Sequence, residues 1–417
     1  HVAILAMTGA GKSNTLATII IRILSGLRSP RVLLIDTHSE YVGLSAINSV
    51  LGDRVAIYCP IGKYREILEK ELSGDAGLRN LEIPYWLLNT EEWFSLLGLG
   101  PQASTQRRIL RMALRSLKNT RYLDYPKYFD LDDLVEEIRN SGARRESIDS
   151  LLDKIEDVRY SAEYAFIFEP EKSLRVKSDP RKVLRIVVEP LISPGLKIVA
   201  LGGMPSDVQT AVVSMLLRML FRITTEAKLM GVTLPTIVAI EEAHIYAPKD
   251  AYAPSRSIIE RIAKEGRKFG LGLIVVSQRP KDLSPTVLAQ CGTLIALKIT
   301  NPTDQRYIME SVEDVTWYLA GSLAGLGVGE ALISGFSVPI PCIVNVDEFH
   351  RVVRDEIGVS VRLGGRDIDV ADIWSAGAEA RLDELVDQLY STYESIISKE
   401  SKKEESEKKP KQMTLPF

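Results

Sequence analysis

With 417 residues the chain exceeds one minimal domain and fits about two to three folding units, or one α/β domain with insertions. Hydrophobic residues make up 45% and charged residues 26%, enough for a sizeable core, while a net charge of −3 excludes a global positive field for gripping nucleic acid. Three scattered cysteines (Cys59, Cys291, Cys342) without a CxxC pair, and four dispersed histidines, exclude a disulfide framework and a zinc site and fit a reducing, cytoplasmic interior.

Val2–Ala6 reads as a fully buried strand. It starts directly after His1, an abrupt opening that leads us to expect a further N-terminal portion. Ser13–Leu24 reads as a helix, and Arg22 breaks the longest apolar run before it reaches the ~18–20 residues of a membrane span, so no membrane association is expected. Arg31–Asp36 and Arg54–Cys59 read as further strands. Apolar runs of this length alternating with helices predict a mostly parallel sheet covered on both faces.

The pattern changes between residues 89 and 169. Helical periodicity dominates in Glu91–Leu97, Thr105–Leu117, Leu131–Arg139 and Ser147–Tyr160, which predicts an all-helical insertion. Strand–helix alternation resumes with strands Val183–Val188 and Lys197–Leu201, a helix Asp207–Leu229 and a strand Thr236–Ile240. A helix Ser257–Phe269, strands Leu271–Ser277 and Thr293–Ile299, and a helix from Asp304 follow. Glu330–Ile333 and Ile343–Val346 read as closing strands, with Pro339-Ile-Pro341 as a turn. Near the C-terminus Ala378–Lys399 reads as an amphipathic helix, followed by a Lys/Glu run that cannot bury a core. The expected organisation is therefore an α/β core in two parts (1–88 and 170–346), a helical bundle insertion (89–169), and a C-terminal helical extension with a disordered tail (347–417).

The chemistry starts with Ala6-Met-Thr-Gly-Ala-Gly-Lys-Ser13, a glycine-rich loop between a strand and a helix. Backbone N–H groups of such a loop point at phosphates, and the helix N-terminus favours their charge. Thr8, Gly9, Ala10, Gly11, Lys12, Ser13 and Asn14 are the expected ATP-binding set, with Lys12 reaching the β- and γ-phosphates and the Ser13 hydroxyl holding Mg2+. Ala6 stands where such loops usually carry a glycine.

Strand Thr236–Ile240 ends in Glu241 and Glu242, the arrangement a Walker B position needs. Glu241 is expected to hold Mg2+ and Glu242 to polarise the attacking water as general base. His244 reads as a loop or packing residue. Gln278, at the end of Leu271–Ser277, suits contact with the γ-phosphate or the lytic water, and Asp36 and Glu40 either flank the site or form a structural turn. On spacing alone, Arg261, Lys264, Arg267 and Lys268 read as a solvated basic face near a helix C-terminus, and Arg108, Arg111, Arg115 and Lys118 as a solvated or partner-facing stripe.

Taken together, Ala6–Thr15, Ile240-Glu-Glu-Ala-His244, Arg261–Gly270 and Val276-Ser-Gln-Arg-Pro280 resemble the HerA family of archaeal DNA-translocating ATPases, within the HerA–FtsK group. Asp36-Thr-His-Ser-Glu-Tyr41, Pro302-Thr-Asp304 and Gly329-Glu-Ala-Leu332 extend the likeness to roughly residues 1–345. The resemblance implies a RecA-like P-loop NTPase core assembled as a homo-hexamer around double-stranded DNA, with a NurA-type nuclease as partner in resecting DNA ends. It also implies Arg267 as an arginine finger acting in trans, and Lys249 facing a neighbour's nucleotide. Enclosure by a ring would multiply a few basic residues per subunit around the pore; Lys281 and Arg256 are open to that role or to plain surface exposure. Alternative readings are a conjugation, plasmid-transfer or packaging ATPase of the same superfamily, and an ATP-binding scaffold with negligible turnover. The final Gln412-Met-Thr-Leu-Pro-Phe417 loosely resembles a sliding-clamp peptide, one residue short in register, and reads as a frayed end.

Overall fold

In the computed structural model of the chain, residues 1–48, 53–60, 63–71, 77–118, 127–168, 180–311, 321–349, 351–352 and 386–387 are described. They divide into two compact units, His1–Ile83 with Ile186–Leu382, and Pro84–Arg185 with Asp383–Phe417. The expected helix Ala378–Lys399, apart from residues 386–387, the Lys/Glu run and the C-terminal peptide lie outside the described residues.

The first unit is built on ten strands: β1 (Val2–Leu5), β2 (Arg31–Asp36), β3 (Val55–Cys59), β4 (Leu78–Asn80), β5 (Gly195–Ala200), β6 (Thr236–Ile240), β7 (Leu271–Ser277), β8 (Thr293–Ala296), β9 (Glu330–Gly335) and β10 (Cys342–Asn345). Their order is β10-β9-β8-β1-β7-β6-β2-β5-β3-β4. Every pairing from β8 to β4 is parallel, while β9 joins β8 and β10 joins β9 antiparallel. Every residue of β2 and of β5 is buried, as a sheet covered on both faces requires. Helix α1 (Lys12–Gly26) packs Leu16, Ile20, Ile21 and Leu24 into a core shared with Ile4, Leu34, Ile57 and Ile198. The mostly parallel α/β fold is as the sequence predicts.

One expected strand is a helix. Val183–Val188 lies inside the helix Pro180–Ile192. Leu184, Val187, Val188, Leu191 and Ile192 are buried while Arg185, Ile186 and Glu189 are exposed, the i, i+3, i+4, i+7, i+8 stripe of an amphipathic helix. The β-branched run suggested a strand, and the helical spacing overrode it. Thr293–Ile299 is also shorter than expected, since β8 ends at Ala296.

The second unit contains helices Thr90–Leu96, Ser104–Lys118, Leu131–Arg139 and Arg145–Tyr160. The first opens with a reciprocal cap: the Glu92 N–H donates to Asn89 Oδ1 at 2.9 Å and the Asn89 N–H to Glu92 Oε2 at 2.7 Å. An aromatic cluster fills the core, with the Tyr85 ring 6.3 Å from Trp93, 5.5 Å from Phe129 and 5.9 Å from Phe168. The basic stripe expected on Ser104–Lys118 is not uniform. Lys118 is buried and donates to the Leu88 carbonyl at 3.0 Å, and Arg111 approaches Glu91 at 3.7 Å, while Arg108 and Arg115 are exposed.

Candidate active site

Parallel strands bring their carboxyl ends to one edge of the sheet, where open α/β folds bind ligands. At that edge β1 runs into the glycine loop. Ala6 is completely buried and its N–H donates to the Ser277 carbonyl at 3.3 Å, so the small side chain keeps the strand packed where a glycine is usual. Gly9 and Gly11 adopt φ of 78° and 104°, backbone that favours glycine. Thr8 donates to the Gln278 amide oxygen across 270 residues of sequence. Gln278 is thereby seated against the loop, beside β6.

Lys12 directs its ammonium to within 4.0 Å of Glu242 Oε1. The Ser13 hydroxyl donates to Glu40 Oε2 at 2.8 Å. Asn14, expected among the phosphate contacts, turns its carboxamide elsewhere. Its Nδ2 donates to the Asp347 carbonyl at 2.9 Å, and its Oδ1 accepts from the Phe349 N–H at 2.8 Å.

Behind the loop lies a group of carboxyls. Glu241 is buried and accepts from the Thr37 N–H at 3.1 Å; the Thr37 hydroxyl donates to its carbonyl at 3.0 Å and meets the Tyr246 hydroxyl at 3.0 Å. Asp36 accepts from the backbone N–H groups of Glu40 and Tyr41, both at 2.9 Å. Burial, then repulsion from Asp36, Glu40 and Glu242, pushes the Glu241 carboxyl well above the usual range; burial pushes Asp36 up as well. Four of these residues, Asp36, Thr37, Glu40 and Tyr41, come from the strand-end segment Asp36-Thr-His-Ser-Glu-Tyr41. The sequence leaves Asp36 and Glu40 open as site or turn; Asp36 closes the turn onto Glu40 and Tyr41, and Glu40 accepts from Ser13 of the glycine loop. Sequence reasoning misses Thr37 and Tyr41, whose signal is that same six-residue segment.

Glu242 stands at φ 45°, left-handed backbone that a non-glycine residue adopts only at a cost. Burial raises its carboxyl above the ordinary range, and Lys12 and the Gln278 backbone N–H partly offset the rise. Its Oε2 is buried without a hydrogen-bond partner and lies 3.3 Å from His244 Nδ1. That nitrogen is 3.1 Å from the Ser277 hydroxyl, and burial lowers the His244 pKa to about 4, so the ring is neutral at pH 7. A buried carboxylate oxygen with no donor of its own is poised to accept a proton or a water hydrogen bond.

Two predicted residues lie elsewhere within the chain. Arg267 is exposed in the turn Gly266–Phe269 that precedes β7, beside Gly292 at the start of β8. That is the amino end of the strands: the seven residues of β7 separate it from Gln278 by about 20 Å. Lys249 is exposed beyond β6, its ammonium 4.9 Å from the Tyr307 ring centroid and its N–H donating to the Asp282 carbonyl at 2.8 Å.

The profile described as "Helicase HerA, central domain" matches residues 1–220, and "Helicase HerA-like C-terminal" matches residues 208–413. The chain belongs to the HerA helicase family. It is 31% identical to the DNA double-strand break repair helicase HerA of Sulfurisphaera tokodaii, over 93% of this chain and 71% of that protein. It is 30% identical to the helicase of the same name from Pyrococcus furiosus, over 90% and 70%. Among solved structures, VirB4 of Thermoanaerobacter pseudethanolicus shares the fold at a TM-score of 0.55 and 16% identity, covering 83% of this chain and 89% of that one. This HerA-family chain is thus an ATP-hydrolysing enzyme of the helicase and translocase type. No helix among its described residues is long and apolar enough to cross a membrane.

Proposed function

We propose that this chain is the motor subunit of an ATP-driven translocase and helicase for double-stranded DNA. In this reading six copies close a homo-hexameric ring, which works with a NurA-type nuclease on DNA ends in double-strand-break repair. The strongest support is the division of the catalytic set between the two ends of one sheet. Lys12, Ser13, Glu241, Glu242 and Gln278 converge at the carboxyl edge, whereas Arg267 lies about 20 Å away at the amino edge. Within one subunit that arginine cannot reach the phosphates; a neighbour in a ring can supply it.

ATP would lie with its phosphates over Gly9–Ser13. The donor set suits Mg2+: hard oxygens of Ser13 and Glu241, and carboxyls whose mutual repulsion a cation relieves. Among the described residues no three His, Cys, Asp or Glu side chains are close enough to hold a metal by themselves. That fits an ion completed by nucleotide phosphates, as Mg2+ commonly is. Glu242 accepts the proton of the attacking water, Gln278 orients that water or the γ-phosphate, and Arg267 of the adjacent subunit neutralises developing charge. Lys249, exposed beyond β6 at the carboxyl edge, faces a neighbour's nucleotide in this reading, on the family likeness.

The test is ATP turnover with and without duplex DNA, measured beside the mass of the assembly. Turnover stimulated by duplex in a multimer supports the reading; DNA-insensitive turnover by a monomer overturns it.

A further inference from the structure

Glu242 is held unevenly. Its Oε1 faces the Lys12 ammonium at 4.0 Å, and the Gln278 backbone N–H reaches the same carboxyl group. Its Oε2 is buried with no donor and lies 3.3 Å from His244 Nδ1. A buried carboxylate oxygen without a donor is costly, yet a nitrogen able to supply one stands beside it. The ring is fixed there by the short turn Ala243–Tyr246, whose two end residues are completely buried.

Ser277 decides where the His244 proton sits. Its side chain, at the end of β7, is completely buried. The Ser277 Oγ accepts from the Arg279 N–H at 3.1 Å, and its other partner is His244 Nδ1, also at 3.1 Å. A buried hydroxyl must still place its own hydrogen on an acceptor, and among the described residues Nδ1 is the acceptor it meets. The hydroxyl therefore donates to Nδ1. Burial, and after it Arg279, keeps the ring neutral at pH 7, so the hydrogen-bond network assigns the single ring proton to Nε2. His244 is half-buried, and an Nε2–H there can meet water. Nδ1 then has no hydrogen to offer Glu242, which accounts for the bare Oε2.

We propose that Ser277 and His244 are positioning residues acting together on Glu242: Ser277 locks the His244 tautomer with Nδ1 unprotonated, and Oε2 thereby stays free to take the proton of the attacking water. The opposite tautomer would set an Nδ1–H against Oε2. A charge-assisted hydrogen bond there would occupy the oxygen that the base needs. The inference rests on Glu242 acting as general base. It gives a chemical part to His244, which reads as a packing residue in the sequence. It also ties the end of β6 to the end of β7 through side chains, beside the backbone pairing of the two strands.

A double-mutant cycle in steady-state ATP hydrolysis tests the pair. Ser277→Ala lets the ring turn an Nδ1–H onto Glu242 and should lower kcat about tenfold, with KM for ATP unchanged. Phenylalanine fills the space of the imidazole and carries no donor. The double variant Ser277→Ala/His244→Phe should therefore recover most of that loss and match His244→Phe alone. A double variant slower than Ser277→Ala would mean that the two side chains merely pack the strand ends. Ser277→Ala at the wild-type rate would mean that the tautomer is immaterial, and a KM that rises as kcat falls would mean that the strand ends have moved. Each of these overturns the proposal. Adding Ser277→Ala to Glu242→Gln should change nothing further, whereas Glu242→Gln at the wild-type rate would overturn the general-base reading beneath.

Discussion

The two ends of the central sheet are built from the same strands yet are opposite in character. At the carboxyl end of β1, β2, β6 and β7, polar groups are buried and crowded: Asp36, Glu241 and Glu242 are each at most 4% exposed, and two of them are pushed far toward their neutral forms. At the amino end, Arg267 is exposed and Phe336 is 88% exposed over Gly292. Parallel pairing of β1 to β8 forces this division, because each of these strands sends its carboxyl end to the same edge. The crowded edge stores unfavourable electrostatics that a bound cation would relieve; the open edge carries the exposed guanidinium of Arg267, about 20 Å from the glycine loop's side of the sheet.

Substitutions at the two ends test that contrast directly. Lys12→Ala is expected to abolish ATP hydrolysis, and turnover at the wild-type rate in a phosphate-release assay would remove the motor reading. Arg267→Ala should cost about 10³-fold in turnover although it lies outside its own site. Rings mixed from Arg267→Ala and Glu242→Gln subunits should recover part of it, at interfaces where an intact Glu242 meets an intact Arg267. No recovery in verified mixed rings would place the arginine's action within one subunit or nowhere. Glu242→Gln should retain ATP in equilibrium binding while hydrolysing it ~10²-fold or more slowly.

A smaller effect concerns stability. The raised Glu241 carboxyl means the folded chain binds a proton that the unfolded chain has released, between the ordinary carboxylate pKa and the raised one. Ligand-free stability therefore falls as pH rises through that window. Glu241→Gln should raise the ligand-free melting temperature at pH 7 by a few degrees, on the order of 1–2 kcal/mol, and the gain should vanish at pH 4. An equal gain at both pH values would mean that charge is not the cause. At the low end, Asn89→Ala removes one half of a reciprocal cap and should cost about 1 kcal/mol in denaturant unfolding, with no change in ATP binding.

Much of the crowded edge was legible in the sequence because strand ends announce it. An apolar run that stops at Glu241-Glu242, at Ser277-Gln278 or at the glycine loop states both its strand and its edge. Legibility failed where the partner is distant or the pattern is ambiguous. Nothing near Thr8 says that it meets Gln278, and nothing near Asn14 says that it is claimed by residues 347–349. The helix Pro180–Ile192 was hidden by its β-branched residues, although the spacing of Leu184, Val187, Val188 and Leu191 contained the answer. The position of Arg267 was legible in part: it precedes the strand that ends at Gln278, which sets the two at opposite ends.

The left-handed backbone of Glu242 has a consequence for timing. Its conformation is held by the short turn that follows, where the Ile245 N–H donates to the Glu242 carbonyl at 2.8 Å, and by the surrounding sheet. A side chain whose backbone is already strained into place needs no rearrangement when nucleotide arrives. In the proposed ring the proton acceptor is then always ready, and the variable event is the approach of a neighbour's positive charge. Firing order around the ring would be set at the contacts between subunits, while each site idles in a loaded state.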